Sequence, residues 1–168
     1  GKTSVMSKLI EEAAAQANSD QIVVIDFGPD VKLTSGKKLG GKLELSSSMI
    51  DKIQYYAPRE LYAPRAMGKT RYEVISLAQR NLASIDQVLN SVERNQLGNV
   101  FVNDVTMYFH CGNADRIIGL ARASKTFIAN GYKGNSLTSE DKGSGISAKE
   151  VGELEKLSSV MDGVIELD

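Results

Sequence analysis

The sequence predicts an α/β fold, a three-layer sandwich with a mostly parallel sheet between helices. Three observations predict it. Short runs of apolar and β-branched residues, such as Gln21–Phe27 (QIVVIDF) and Thr126–Ala129 (TFIA), suit strands covered on both faces. Longer segments between them carry apolar residues at helical spacing. The two kinds of segment alternate, and alternation implies parallel strands joined by crossover helices.

Taken in order, residues 4–18 (SVMSKLIEEAAAQAN) predict a helix rich in alanine and glutamate, with Val5, Leu9, Ala13 and Ala17 at intervals of four. Thr3 or Ser4 can cap it and Asn18-Ser19 can end it. The strand 21–27 follows and closes at Gly28-Pro29, a turn signal. An insertion at about 30–68 is broken by Gly36, Gly40 and Gly41, with Lys42–Leu45 as a short strand. It holds a small repeat, Tyr56-Ala57-Pro58-Arg59 and Tyr62-Ala63-Pro64-Arg65, whose prolines oppose regular structure. Residues 70–94 predict a long helix opened by the capping box Thr70/Glu73, with Val74, Ala78, Ile85, Val88, Leu89 and Val92 on its apolar face. Asn99–Phe109 (NVFVNDVTMYF) reads as the second strand, 113–125 as a helix capped by Asn113, and 126–129 as the third strand. Residues 131–146 form a glycine- and serine-rich loop. A capping box Ser147/Glu150 opens a helix to Val160, Asp162-Gly163 turns, and Val164–Leu167 ends the chain as a strand. The whole reads as one domain, 1–168. It begins on a helix and on Gly1 rather than methionine, so a first strand ahead of Gly1 is expected.

Composition narrows the function classes. With 42% apolar and 24% charged residues the chain reads as soluble and globular, and a cytoplasmic setting is expected. A net charge of −1 gives no electrostatic case for nucleic acid or for an anionic membrane, and no apolar run approaches the roughly 20 residues of a membrane helix. The single cysteine, Cys111, excludes an internal disulfide and a multi-cysteine zinc site. It adjoins the single histidine, His110. Neighbours on a strand point to opposite faces, which disfavours a Cys–His dyad.

Two segments match parts of a phosphate-binding loop. Gly1-Lys2-Thr3-Ser4 matches its last residues, and Ala63–Thr70 (APRAMGKT) matches the loose pattern [AG]-x-x-x-x-G-K-[ST] in full. Such a loop joins a strand to a helix and aims successive N–H groups at the anion. Residues 55–62 (YYAPRELY) do not read as a buried strand, and Pro64 lacks an N–H. APRAMGKT is therefore expected to be a loop ending in a capped helix. At Gly1–Ser4 the helix follows at once, and two aspartates sit at strand ends downstream, Asp26 in IVVID and Asp104 in VFVND. Ligands of parallel α/β sheets collect at the carboxyl ends of strands.

On GKTS and VFVND the chain resembles the P-loop NTPases, closest to archaeal-type ATPases of the RecA-like or SIMIBI groups. GKTS stands as the end of Walker A and VFVND as a Walker B strand, departing from the usual pattern in having Asn103 before the acid. The resemblance implies that Gly1, Lys2, Thr3 and Ser4 hold the phosphates and that Thr3, Asp104 and Asp26 hold Mg²⁺. It implies that Asn130, in TFIANGYKG, lies near the base. The GTPase pattern N-K-x-D is not met, so ATP is favoured over GTP. Catalytic roles are expected for Asp104, Asp26 and Arg65, the last because arginine stabilises charge on a transferring phosphoryl group. The function expected is Mg-dependent ATP binding and hydrolysis coupled to a conformational or assembly change. The alternatives are a non-catalytic nucleotide-sensing or partner-binding domain, and a P-loop small-molecule kinase. Residues 55–69, with Tyr55, Tyr56, Tyr62, Arg59 and Arg65, are the expected contact for a protein partner or a second copy. Solvated surface arginines are the plainer reading of that loop.

Overall fold

The computed structural model describes residues 1–16, 21–32, 38–39, 41–95, 97–133 and 140–167, of which 31, 32, 38 and 39 are described by backbone alone. The predicted helix stop at Asn18-Ser19, the breaks at Gly36 and Gly40, and residues 134–139 of the predicted loop lie outside these. Helix α1 (Lys2–Gln16) leads into β1 (Ile22–Asp26). The insertion holds β2 (Val31–Lys32), β3 (Lys38–Leu39), α2 (Ser47–Ile50), β4 (Gln54–Tyr56) and α3 (Pro64–Met67). Then follow α4 (Arg71–Val92), β5 (Asn99–Asn103), α5 (Thr106–Phe109), α6 (Ala114–Ala123), β6 (Thr126–Ala129) and α7 (Ile146–Ser158). The main sheet runs β4-β1-β5-β6, every neighbouring pair parallel. β2 and β3 form a small antiparallel pair.

Period-two alternation divides the core into two layers. Val23, Ile25, Val100 and Val102 pack on one face with Ile85 and Leu89 of α4, Ile117 of α6 and Leu157 of α7. Ile22, Val24 and Phe101 point the other way, against Met6 and Ile10 of α1 and Leu43 and Ile53 of the insertion. All five residues of β1 are buried, as continuous apolar runs in parallel sheets require.

Several elements differ from expectation for identifiable reasons. The buried stripe of α1 is Met6 and Ile10, one residue round from the expected Val5 and Leu9, which stay 42% and 36% exposed. Both stripes have helical spacing, so the pattern could not choose between them. The expected strand 99–109 ends at Asn103. Asp104 takes a left-handed φ of 57° and turns the chain into α5. Residues 105–110 are all buried, and apolarity alone does not separate a buried strand from a buried helical turn. Ser147 and Glu150 do not cap α7. Gly145, at φ 82°, precedes the helix, and both residues lie buried within it. Lys42–Leu45 and Val164–Leu167 form no strand, while Gln54–Tyr56, passed over in the sequence, is the edge strand β4. Its three residues are only half-buried, so it lacks the apolar run of a central strand.

Candidate functional site

The carboxyl ends of β1, β5 and β6 meet in one polar chain. Asn103 donates through Nδ2 to Asp26 Oδ1 at 2.7 Å and to the Gly41 carbonyl at 2.7 Å. Asn130, just past β6, donates to Asn103 Oδ1 at 3.0 Å, and its own Oδ1 accepts the Asp104 N–H at 2.7 Å. The Asn130 amide also donates to the Lys2 carbonyl at 3.3 Å. Register brings this about, because Asp26 lies opposite Asn103 across β1 and β5. The structure thus brings Asp26, Asp104, Asn130 and the first residues of α1 to the same edge of the sheet.

At the start of α1, Val5 N–H already bonds the Gly1 carbonyl, which leaves the amides before it at the open end of the helix. The Lys2 ammonium lies 5.6 Å from the Tyr132 ring centroid. Thr3 packs against Gly41, where an added Cβ would come within 2.5 Å of Thr3 Oγ1. Gly28 is as tightly placed, since a Cβ there would meet the Gly41 carbonyl at 2.2 Å. Two glycines therefore seat the insertion against the helix start, and larger residues would push it away.

Asp104 is the electrostatically unusual group. Burial pushes its pKa up to about 6, against the Thr106 hydroxyl, which donates to Oδ1 at 2.9 Å. The Glu150 and Asp26 charges raise it further and the Lys2 charge lowers it. Its backbone is in the left-handed region, at a cost on the order of 1 kcal/mol. A strained, desolvated carboxyl beside a lysine at a strand end is the kind of group found at functional sites.

Asp26 is differently placed. Oδ1 accepts from Gly28 N–H and Asn103, and Oδ2 accepts from Leu43 N–H at 2.8 Å and from the Tyr55 hydroxyl at 2.7 Å. A carboxylate offers about four lone-pair sites, and these four donors fill them. Asp26 is an organiser that holds β1, β4, β5 and the insertion together. Burial, reinforced by this bond to Asp26, pushes the Tyr55 hydroxyl pKa strongly upward. As to Mg²⁺, Asp104 supplies a hard oxygen whose pKa a cation would bring down, and Thr3 supplies a hydroxyl at the helix start. Mg²⁺ is ordinarily held by one or two carboxylates with substrate oxygens and water, which these residues fit. Asp26 fits only indirectly, through Asn103. Among the described residues no group of three or more His, Cys, Asp or Glu side chains is arranged to hold a metal alone.

APRAMGKT forms no anion cradle. Within it, the N–H groups of Ala66 and Met67 bond the Ala63 carbonyl and that of Gly68 bonds the Pro64 carbonyl, closing the turn α3. Lys69 N–H bonds Glu73 Oε2 at 2.7 Å, and Glu73 N–H bonds Thr70 Oγ1 at 3.2 Å, so the segment's donors serve the α4 cap. Arg65 is committed as well. It pairs with Glu150 at 2.5 Å and donates to Ser147, with both charged side chains almost wholly buried. This ion pair fastens α3 to α7. His110 lies 3.7 Å from the same Glu150 oxygen, and both its ring nitrogens are buried without a hydrogen bond among the described residues. Burial and the Arg65 charge push its pKa down to about 3, so it is neutral. Because His110 follows α5 and does not lie on a strand, the strand-based case against a Cys–His dyad does not apply. Burial also raises the Cys111 thiol pKa, which leaves it a poor nucleophile.

Sequence reasoning missed Asn103 as the hub, Gly41 as the contact to Thr3, and Glu150 as the partner of Arg65. Asn103 carried a visible signal, a polar residue interrupting an apolar strand. Among the described residues no helix is long and apolar enough to cross a membrane. Compared with known proteins, the chain matches no family model, no curated protein and no solved structure at a significant level.

Proposed function

We propose that this protein binds ATP with Mg²⁺ at the start of α1 and hydrolyses it, as an ATPase similar to the P-loop NTPases. The observation that carries the reading is the meeting of the Lys2 end of α1 with Asp104 at the carboxyl edge of a parallel sheet, through the Asn130 amide. Helix-start amides and a lysine suit phosphate oxygens. In this reading Gly1, Lys2, Thr3 and Ser4 hold the phosphates, and Thr3 and Asp104 hold the metal. Mg²⁺, when bound, neutralises charge on the transferring phosphoryl group. Asp104, with a pKa of about 6, is poised to hold a proton or orient a water near neutral pH. Asn130 and Asn103 fix Asp104 and Lys2 relative to each other, and Asp26 fixes Asn103.

The geometry also supports coupling to the insertion. Glu150 raises the Asp104 pKa and is the ion-pair partner of Arg65 on α3. Glu150 thus links Asp104 electrostatically to the pair that fastens α3 to α7. The test is Asp104→Asn with Mg·ATP. Phosphate release should fall at least a hundredfold while ATP affinity changes less than tenfold. Full turnover in the variant would end this assignment.

A further inference from the structure

Three consecutive residues past β6 hold Lys2 at two points. Asn130 Nδ2 donates to the Lys2 carbonyl at 3.3 Å, and the Lys2 ammonium lies over the Tyr132 ring, 5.6 Å from its centroid. A cation within about 6 Å of an aromatic face is attracted by the ring quadrupole. Gly131, between them, lies close on α5, since an added Cβ would meet Thr106 Cγ2 at 2.7 Å.

The same three residues also hold Asp104. Asn130 Oδ1 accepts the Asp104 N–H at 2.7 Å. Tyr132 N–H donates to Thr106 Oγ1 at 3.3 Å, and that buried hydroxyl donates to Asp104 Oδ1 at 2.9 Å. Residues 130–132 therefore reach Lys2 at its backbone and its ammonium, and Asp104 at its N–H and its carboxyl. Lys2 is exposed, and a long lysine side chain loses much rotamer freedom when it must sit in one place. A ring under the ammonium places it beforehand, which lowers the cost of binding. The ring is also neutral. A carboxylate in its place would cancel the lysine charge, whereas Tyr132 leaves that charge to an incoming anion.

We infer that Tyr132 is a positioning residue whose ring holds the Lys2 ammonium where phosphate oxygens are bound. The inference rests on the ATP reading above. The test is calorimetry with Mg·ATP, and separately with Mg·tripolyphosphate, which lacks a base. Tyr132→Leu should weaken both about three- to fivefold, the size of an exposed cation–π contact. Tyr132→Phe keeps the ring and should stay within twofold of wild type. In a Lys2→Ala background Tyr132→Leu should cost nothing more, which a merely structural role would not predict. In the free protein, the Lys2 ε-methylene protons should carry an upfield ring-current shift that Tyr132→Phe keeps and Tyr132→Leu removes. Equal losses with and without Lys2, a loss seen with ATP but not tripolyphosphate, failure of Tyr132→Phe to rescue, or Lys2 proton shifts indifferent to Tyr132→Leu would each overturn the inference. Each of these leaves the ATP reading standing if Lys2→Ala itself weakens binding. Mg·ATP binding that is absent, or indifferent to Lys2→Ala, would instead sink that reading and this inference with it.

Discussion

Replacing Asp104 with asparagine should make the folded protein more stable while it removes activity. Burial holds the Asp104 pKa near 6, against an ordinary value of 3.8. At 1.36 kcal/mol per pKa unit the ionised group costs the fold about 3 kcal/mol, and solvent at its exposed edge lowers that to about 2 kcal/mol. Asparagine is neutral, keeps an oxygen for the Thr106 hydroxyl, and tolerates the left-handed backbone. The sign follows from linkage. A carboxyl whose folded pKa is raised binds more protons folded than unfolded, so the destabilisation that Asp104 contributes is relieved as pH falls through about 6 and is gone below 3.8. Urea unfolding of both proteins at pH 8 should show the variant ahead by about 2 kcal/mol, and the gap should close by pH 4. A variant less stable than wild type at pH 8, or a gap independent of pH, would refute the electrostatic account of this site.

His110 should act in the opposite sense. Its folded pKa of about 3 lies below the ordinary 6.5, so it costs stability as pH falls below 6.5, by up to about 1.4 kcal/mol per pH unit. His110→Leu, made alongside Asp104→Asn to isolate the effect, should flatten urea stability between pH 6.5 and 4.5; an unchanged slope there would count against it. Arg65→Ala should lower stability by about 3–5 kcal/mol, because it strands the Glu150 carboxylate in the interior. Arg65→Met with Glu150→Gln should recover most of that loss, and equal losses in the single and double variants would show that the ion pair is not the cause.

Much of the fold was legible because strand and helix carry different periods. IVVID, TFIA and the α4 face stand where apolar runs and four-residue spacing put them. The failures share a cause. Val5/Leu9 and Met6/Ile10 are equally helical stripes, and only packing against Ile22 and Val24 selects the second. VTMYF is buried whether strand or turn, and the turn is set by the backbone of Asp104. At the candidate site, the shared sheet edge of Asp26 and Asp104 followed from the strand ends. The saturation of Asp26 did not, because its donors at Gly28, Leu43, Tyr55 and Asn103 come from four separate segments. Arg65 was noticed for its charge, but its partner lies 85 residues away on a helix where Glu150 looked like a cap.

The proposed ATP site holds phosphate at the start of α1 and not at APRAMGKT. Calorimetry of Mg·ATP binding to the wild-type, Lys2→Ala and Lys69→Ala proteins tests it most directly. Lys69 gives its N–H to the α4 cap, and its side chain is exposed, so Lys69→Ala should leave affinity within twofold of wild type. Lys2→Ala should weaken it tenfold or more, the loss of one charge-assisted contact of about 1.5–3 kcal/mol. Loss of binding in Lys69→Ala with none in Lys2→Ala would contradict the account.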